Sequence, residues 1–254
     1  MNHGVDQLWD AASLPEDDNV NPYAYSVDVG RKQWFIQKGR MIAYTGQMRF
    51  ESVTGGLSHL LGVVISSPLY AGDWVGVQGQ GKLLLGHHGY DVNGYDLEDA
   101  NMTIRAGNLL AFGGQLVLKE SIVPGFVTVL GSGKIIAASN GEVQFVDPPV
   151  RVDPQALVGW ADCPSPSHHY DQAYLQGGSG ILRGLTGLGG VSGEEHQFDF
   201  TGQGTVLIQS SEATMSSGAL VRQIEGQTSA LGLPDLQGLT QRLQARLAQQ
   251  QQQH

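Results

Sequence analysis

Two pairs of adjacent histidines are the residues of this chain best suited to metal chemistry. His87-His88 follows a short apolar run, and His168-His169 follows two prolines. Imidazole nitrogens are common zinc ligands, so the two pairs could form a site if their loops met. However, adjacent residues on a strand point to opposite faces of a sheet, and the chain has no cysteine cluster and no His-Glu-x-x-His sequence. We therefore expect ordinary turn histidines, no metal and no cofactor.

The segment Gly131-Ser-Gly-Lys134 has the residue types of a phosphate-binding loop. A Walker loop needs Gly-x-x-x-x-Gly-Lys-Ser/Thr at the start of a helix, where free N–H groups hold the phosphate. Here Ile135-Ile136 continue as a strand. These glycines are therefore predicted to occupy bulge or hairpin positions.

Other candidate reactive groups lack partners in the sequence. Cys163 is the one cysteine and has no identifiable base, and no serine lies in a Gly-x-Ser-x-Gly elbow. Asp96-Leu-Glu-Asp99 lacks the calcium-loop spacing and is interpreted as a solvated turn. The glycine-rich segment 177–193 is typical of hairpin turns, with a ligand-binding loop as the alternative. We predict that the chain is not an enzyme.

One short pattern occurs three times: apolar or small residues closed by an aromatic residue. The aromatic residues are Tyr44, Phe112 and Trp160. A Gly-x-Gly triplet and a second apolar run follow each of them, and the six glycines are Gly79, Gly81, Gly131, Gly133, Gly202 and Gly204. The intervals are unequal, which excludes a solenoid of fixed period. The repetition predicts three related β units, with the three aromatic residues buried in equivalent places.

Composition and turn spacing predict an all-β chain. Glycine contributes 36 of 254 residues, and short β-rich runs alternate with turn residues. We predict a single internally triplicated domain, a β-sandwich or barrel-like body with an approximate three-fold axis, over residues 23–211. Residues 1–22 are predicted to be a flexible acidic tail.

Residues 212–254 are predicted to form a C-terminal extension with a short amphipathic helix near 234–249. Its apolar stripe consists of Leu236, Leu239, Leu243 and Leu247, spaced along one helical face. The stripe would dock on its own domain or on a sister subunit. Peripheral membrane contact is a weaker alternative, because only Arg242 and Arg246 supply positive charge.

Charge and targeting signals narrow the class of protein. The net charge of −10 argues against nucleic acid as a partner. A single cysteine fits a reducing compartment, and the N-terminus resembles neither a secretory signal nor a mitochondrial presequence. The longest apolar stretch, 56–71, contains serines, His59 and Pro68, and is too short and polar to span a bilayer. We expect a cytoplasmic protein.

Four ordered motifs carry a family resemblance. They are Phe35-Ile-Gln-Lys-Gly-Arg-Met-Ile-Ala-Tyr-Thr-Gly46, Ala106-Gly-Asn-Leu-Leu-Ala-Phe112, Asp153-Pro-Gln-Ala-Leu-Val-Gly-Trp160 and Gly202-Gln-Gly-Thr-Val-Leu-Ile-Gln-Ser210. Together they resemble the altered-inheritance-of-mitochondria (mitochondrial biogenesis) family over residues 23–211. The resemblance implies an all-β fold similar to the trp RNA-binding attenuation protein, built by internal duplication. It implies no enzymatic activity, and no functional residue is carried over.

These observations favour a non-enzymatic scaffold or protein-interaction protein that acts as a homo-oligomer and binds other proteins. A small-ligand or lipid-binding β module is the alternative. An enzyme of unrecognised type is the third hypothesis.

Overall fold

The computed structural model describes residues 13–30, 32–53, 72–162, 165–170 and 196–212. Within these ranges the chain forms seventeen β-strands and no α-helix, which confirms the all-β prediction. The strands are β1 (Asp18–Asn21), β2 (Ala24–Asp28), β3 (Trp34–Gln37), β4 (Met41–Tyr44), β5 (Gln47–Ser52), β6 (Trp74–Gln80), β7 (Lys82–Leu85), β8 (Asp91–Arg105), β9 (Leu109–Gly113), β10 (Val117–Glu120), β11 (Phe126–Ser139), β12 (Val143–Val146), β13 (Val150–Val152), β14 (Leu157–Ala161), β15 (Ser167–Tyr170), β16 (His196–Phe200) and β17 (Thr205–Gln209).

The strands form three antiparallel sheets. The large one has ten strands in the order β12-β17-β14-β8-β11-β9-β3-β6-β5, with β10 paired to β11. A four-stranded sheet has the order β1-β2-β7-β4, and a three-stranded sheet has the order β13-β16-β15. The predicted C-terminal helix, with its stripe Leu236, Leu239, Leu243 and Leu247, lies outside the described residues.

The repeated sequence pattern corresponds to a repeated hairpin. Hairpin 1 pairs β4 and β5 with β7 and β6, hairpin 2 pairs β9 and β10 with β11, and hairpin 3 pairs β14 and β15 with β17 and β16. The aromatic residue that closes each repeated string lies opposite the residue two positions after the second glycine. These pairs are Tyr44 with Leu83, Phe112 with Ile135 and Trp160 with Val206.

All three hairpins also share one bulge. In each hairpin the pairing skips the residue two positions before the aromatic residue. The skipped residues are Ile42, Leu110 and Val158. A bulge inserts one unpaired residue and bends the strand. The same irregularity at the same place in three hairpins is therefore a shared structural feature, beyond the shared sequence.

The Gly-x-Gly glycines all adopt positive φ, as their predicted bulge or hairpin role requires. The six values run from 91° at Gly202 to 155° at Gly133. At Gly79 a Cβ would lie 2.1 Å from the carbonyl oxygen of Gln47, on the facing strand. Both the backbone angle and the close approach therefore require glycine at this position.

Two of the three repeated aromatic residues lie in the core, as predicted. Phe112 is fully buried, stacks on Phe35 with ring centroids 5.1 Å apart and meets Trp74 edge-on at 4.9 Å. Trp160 is buried between Phe126 and Phe200. Phe112 and Trp160 thus pack in separate apolar clusters.

The prediction that Tyr44 is buried is wrong. Its side chain is 49% exposed and contacts Phe50 edge-on at 5.1 Å. The physical reason is its strand: β4 ends the four-stranded sheet, whereas the strands of Phe112 and Trp160 are paired on both sides. A strand without an outer neighbour leaves its side chains partly in water.

Two other sequence interpretations are corrected. Strand β1 lies inside the segment 1–22 predicted as a tail, and it pairs with β2 while the Asn19 amide donates to the Val92 carbonyl at 2.6 Å. The predicted solvated turn at residues 96–99 is part of the long strand β8. A bulge opposite Gly131 and Gly133 interrupts β8 there, with Asp99 at positive φ.

Candidate interaction surface

Each hairpin is preceded by a leading strand that occupies the same position relative to it. The leading strands are β3, the second half of β8, and β13. Each pairs with the hairpin strand that runs into the Gly-x-Gly. In each case one residue pair lies two residues before the first glycine: Trp34 with Val77, Met102 with Val129 and Val150 with Phe200. The three leading strands therefore correspond residue by residue.

Two leading strands also join their unit to the next hairpin. In joint 1, β3 pairs with β9 and places Phe35 opposite Phe112. In joint 2, β8 pairs with β14 and places Thr103 opposite Trp160. Phe35 and Thr103 are corresponding residues of their leading strands, so joints 1 and 2 have the same register. The ten-stranded sheet is continuous because of these two joints.

A side-chain donor reinforces each joint. In joint 1 the Gln37 amide Nε2 donates to the carbonyl oxygen of Ala106 at 3.1 Å. In joint 2 the corresponding residue is Arg105, whose guanidinium donates to the carbonyl oxygens of Pro154 and Leu157. Both side chains satisfy carbonyl groups where the chain enters the next hairpin, in the turn at Ala106 and Pro154 and also at Leu157, the first residue of β14.

The third leading strand and the first hairpin make no such joint within the described residues. Strand β13 pairs only with β16, and β4 pairs only with β7, so each ends its sheet there. The residue that corresponds to Gln37 and Arg105 is Asp153. Its carboxylate accepts from the Gln155 N–H of its own turn and, when ionised, has no donor to offer a neighbouring carbonyl. Among the described residues, β13 and β4 are thus each without a paired strand on one side.

Strand β4 and its surroundings expose large apolar side chains. We define the β4 patch as Tyr23, Met41, Ile42 and Tyr44, which are 54%, 37%, 57% and 49% exposed. The corresponding residues of β9, Leu109, Leu110 and Phe112, are all fully buried. The same positions are covered by protein in joint 1 and open on β4, so the β4 patch has the composition of an interface.

Charged and aromatic groups border the β4 patch on one side. The Arg40 guanidinium contacts both ring nitrogens of His87, at 2.8 Å for Nε2, and Arg40 Nε donates to Gln37 Oε1 at 2.7 Å. Burial, followed by the positive charges of Arg40 and His88, lowers the pKa of His87 to about 4. His87 therefore stays neutral at physiological pH, and Arg40 supplies the positive charge beside the patch.

The structure does not bring the two histidine pairs together as a metal site. His87 and His88 lie beside each other after β7, with ring centroids 4.4 Å apart. On β15, His168 Nδ1 lies 2.6 Å from Nε2 of His196, a partner on β16 that sequence reasoning missed. Among the described residues no group of three histidine, cysteine or acidic side chains is placed to hold a metal. Cys163 and the glycine-rich segment 177–193 lie outside those residues.

A cleft lies between the leading strand β3 and the bulge of β8. This cleft of about 480 Å³ is lined by Trp34, Gln33, Lys134, Asp96 and other residues. Lys134 bridges Asp96 at 2.9 Å. Burial acts to lower the Lys134 pKa, but the interactions with Asp96 and Tyr25 outweigh it and the pKa is raised. The indole Nε1 of Trp34 and the amide Nε2 of Gln33 are buried without a hydrogen-bond partner in the described protein.

Comparisons with known proteins agree with this fold. Residues 26–211 match the family model described as mitochondrial biogenesis AIM24. The crystal structure of protein SPYM3_0169 from Streptococcus pyogenes is similar, with a TM-score of 0.55 and 18% identity over 84% of this chain and 97% of that chain. At this identity the likeness concerns the fold alone. A search of curated proteins found no match.

The part of the chain that the structure describes contains no helix long and apolar enough to cross a membrane.

Proposed function

The chain belongs to the mitochondrial biogenesis AIM24 family, and we propose that it is a non-enzymatic interaction protein that assembles with copies of itself and presents that assembly to other proteins. The observation that carries the proposal is the β4 patch: three apolar residues of β4 are exposed where their counterparts on β9 are fully buried. An exposed, uncharged edge strand is a template for pairing with another chain.

The proposal includes an origin for the patch. Three hairpins with one register, one bulge position and six glycines at positive φ support internal triplication of a single β unit. In such a chain each unit has two strand edges that can form a joint, one on its leading strand and one on its aromatic-bearing strand. Three units joined in a row leave one edge of each kind unpaired. The predicted three-fold axis and the likeness to the trp RNA-binding attenuation protein stay predictions.

The decisive experiment compares two isoleucine substitutions. Ile42 is 57% exposed in the β4 patch, and Ile122 is 85% exposed at the tip of hairpin 2. Light scattering after size exclusion should give a mass above one chain for the unsubstituted protein at micromolar concentration. Ile42→Lys should shift it towards the monomer, while the matched control Ile122→Lys should leave it unchanged. A monomeric unsubstituted protein would contradict the proposal.

One observation favours the alternative, a small-ligand module. The cleft is lined by Trp34 and Gln33, and each of these residues has a buried N–H donor, Nε1 and Nε2, without a protein acceptor among the described residues. A ligand in the cleft whose carbonyl or carboxylate oxygens reached these donors, after a small side-chain movement, would satisfy them. Thermal-shift screening against carboxylates, nucleosides and lipids tests this role. A shift for one compound that Trp34→Phe abolishes supports the alternative, and a flat response across the panel counts against it.

A further inference from the structure

The two unjoined sheet edges of this molecule are complementary. Joints 1 and 2 are each made by a leading strand and by the aromatic-bearing strand of the next hairpin. The described chain has one leading strand with an open side, β13, and one aromatic-bearing strand with an open side, β4. We propose that β13 of one copy pairs with β4 of a second copy, which completes a third joint between chains. This inference rests on the proposed function.

The register of the proposed joint follows from the other two. Because Arg151 corresponds to Phe35 and Thr103, and Tyr44 corresponds to Phe112 and Trp160, Arg151 lies opposite Tyr44. Its neighbours in the joint are Val152 opposite Ala43, and Val150 opposite Thr45. A guanidinium beside a tyrosine ring is a favourable contact. Arg151 is half exposed and is held in place by Asp199, through bonds of 2.7 and 3.0 Å.

The chemistry of β4 fits this occupant. The strand Met41-Ile-Ala-Tyr44 contains no charged residue and no proline, which are two of the usual protections of an edge strand. A bulge is another such protection, but β9 and β14 carry the bulge of β4 at the same place and are still paired on both sides. Joint 1 shows what covers such a strand: with β3 in place, Leu109, Leu110 and Phe112 are fully buried. Asp153 distinguishes the third joint from the other two, because it lacks the donor that Gln37 and Arg105 use to lock β3 and β8 onto the next hairpin.

The symmetry of the assembly follows from the pairing of two different edges. An interface between unlike surfaces is head-to-tail, so it generates a ring if the rotation closes and a filament if it does not. Each copy in a closed ring would use both of its edges. A two-fold dimer through β4 alone would leave β13 open and is a different arrangement.

Cysteine cross-linking tests the register directly. In joint 1 the Gly114 N–H bonds the Gln33 carbonyl at 2.8 Å, so the intervening pair Gly113 and Trp34 is not hydrogen-bonded. Side chains approach most closely at such pairs. The corresponding pair in the proposed joint is Thr45 with Val150, and replacing these two leaves Tyr44 and Arg151 intact.

The cross-link is sought between two different proteins, both carrying Cys163→Ser. Thr45→Cys and Val150→Cys are mixed and oxidised, and the control mixture replaces Thr45→Cys by Lys119→Cys, at an exposed residue of β10. We expect several-fold more covalent dimer in the test mixture than in the control, with circular dichroism confirming that each variant is folded. A chain carrying both Thr45→Cys and Val150→Cys is oxidised at high dilution as a third sample.

The outcomes separate the two proposals. A dimer yield no higher than the control, while the unsubstituted protein still has an oligomeric mass, overturns this joint and leaves self-assembly in place. Cross-linking of the double variant at monomer mass, without dimer in the mixture, places β13 on β4 of the same chain and overturns the joint between copies. A monomeric unsubstituted protein without cross-linking overturns both proposals.

Discussion

The Arg105 guanidinium donates to the carbonyl oxygen of Leu157 at 3.2 Å from Nε and 3.1 Å from its terminal nitrogen. This contact fastens the leading strand of hairpin 2 to the first residue of hairpin 3. The same guanidinium lies 4.7 Å from the centre of the Phe126 ring. Burial lowers the pKa of Arg105 to about 10, against the opposing effect of Asp153, so the side chain remains charged at neutral pH.

Arg105→Met should destabilise the protein by about 1–3 kcal/mol, because the carbonyl groups of Pro154 and Leu157 lose their donor in a partly buried place. Arg105→Gln should lose less, since Gln37 serves joint 1 with an amide. Urea unfolding measures both. Arg49→Met is the matched control: the Arg49 side chain is 74% exposed. Equal losses for Arg105→Met and Arg49→Met would contradict the role of Arg105 in joint 2.

Gly79→Ala should be more destabilising than Gly39→Ala. Both glycines have positive φ, 136° and 80°, so an alanine is strained at either place by about 1–2 kcal/mol. Only at Gly79 would the new Cβ also meet a backbone oxygen, 2.1 Å away, whereas nothing lies within 4 Å at Gly39. Thermal unfolding of the two variants isolates the effect of the close approach. A melting temperature for Gly79→Ala at or above that of Gly39→Ala would show that the hairpin can open there without loss.

Phe112→Ala and Tyr44→Ala compare corresponding positions of two hairpins. Phe112 is fully buried between Phe35 and Trp74, so its truncation should cost about 3–5 kcal/mol. Tyr44 is half exposed, so Tyr44→Ala should lower the free energy of unfolding of the monomer by clearly less. Chemical unfolding at a protein concentration that gives monomers measures both values. Similar losses would mean that the repeated aromatic positions are energetically equivalent despite their different exposure.

The sequence was sufficient to predict much of the local structure, although strand β1 and the bulged part of β8 were missed. The described residues form β-strands, as predicted, and the six Gly-x-Gly glycines have the positive φ that bulge or hairpin positions require. These features depend on nearby residues, whose periodicity and glycine content are visible in one sequence. The predicted burial of Phe112 and Trp160 was also correct, whereas that of Tyr44, which closes the same kind of apolar string, was wrong.

The arrangement of the units could not be predicted from the sequence. The exposure of Tyr44 depends on whether a distant strand lies beside β4, and its sequence string has the same pattern as those of Phe112 and Trp160. The pairing of His168 with His196 joins residues on two strands, and no local pattern reports such a contact. The correspondence of Gln37, Arg105 and Asp153 is recognisable only after the strand registers are known. The candidate interaction surface is a property of these long-range pairings.

The pH dependence of stability should include a contribution from His87. Its pKa is lowered from an ordinary value of 6.5 to about 4, first by burial and then by the charges of Arg40 and His88. Between these values the unfolded chain binds more protons at this site than the folded chain does, so stability falls as the pH is lowered through the window. Protonation also places a second positive charge against Arg40, which lies beside the β4 patch.

His87→Gln should therefore flatten the dependence of the melting temperature on pH between about 6.5 and 4, because glutamine does not titrate. The exposed neighbour His88 offers the matched control, His88→Gln. Some slope should remain in both variants, since burial and the charge of His168 also lower the pKa of His196. Melting curves at half-unit pH intervals, at one ionic strength, measure the effect. Identical slopes for His87→Gln and the unsubstituted protein would show that His87 is protonated as readily in the folded chain as in the unfolded one.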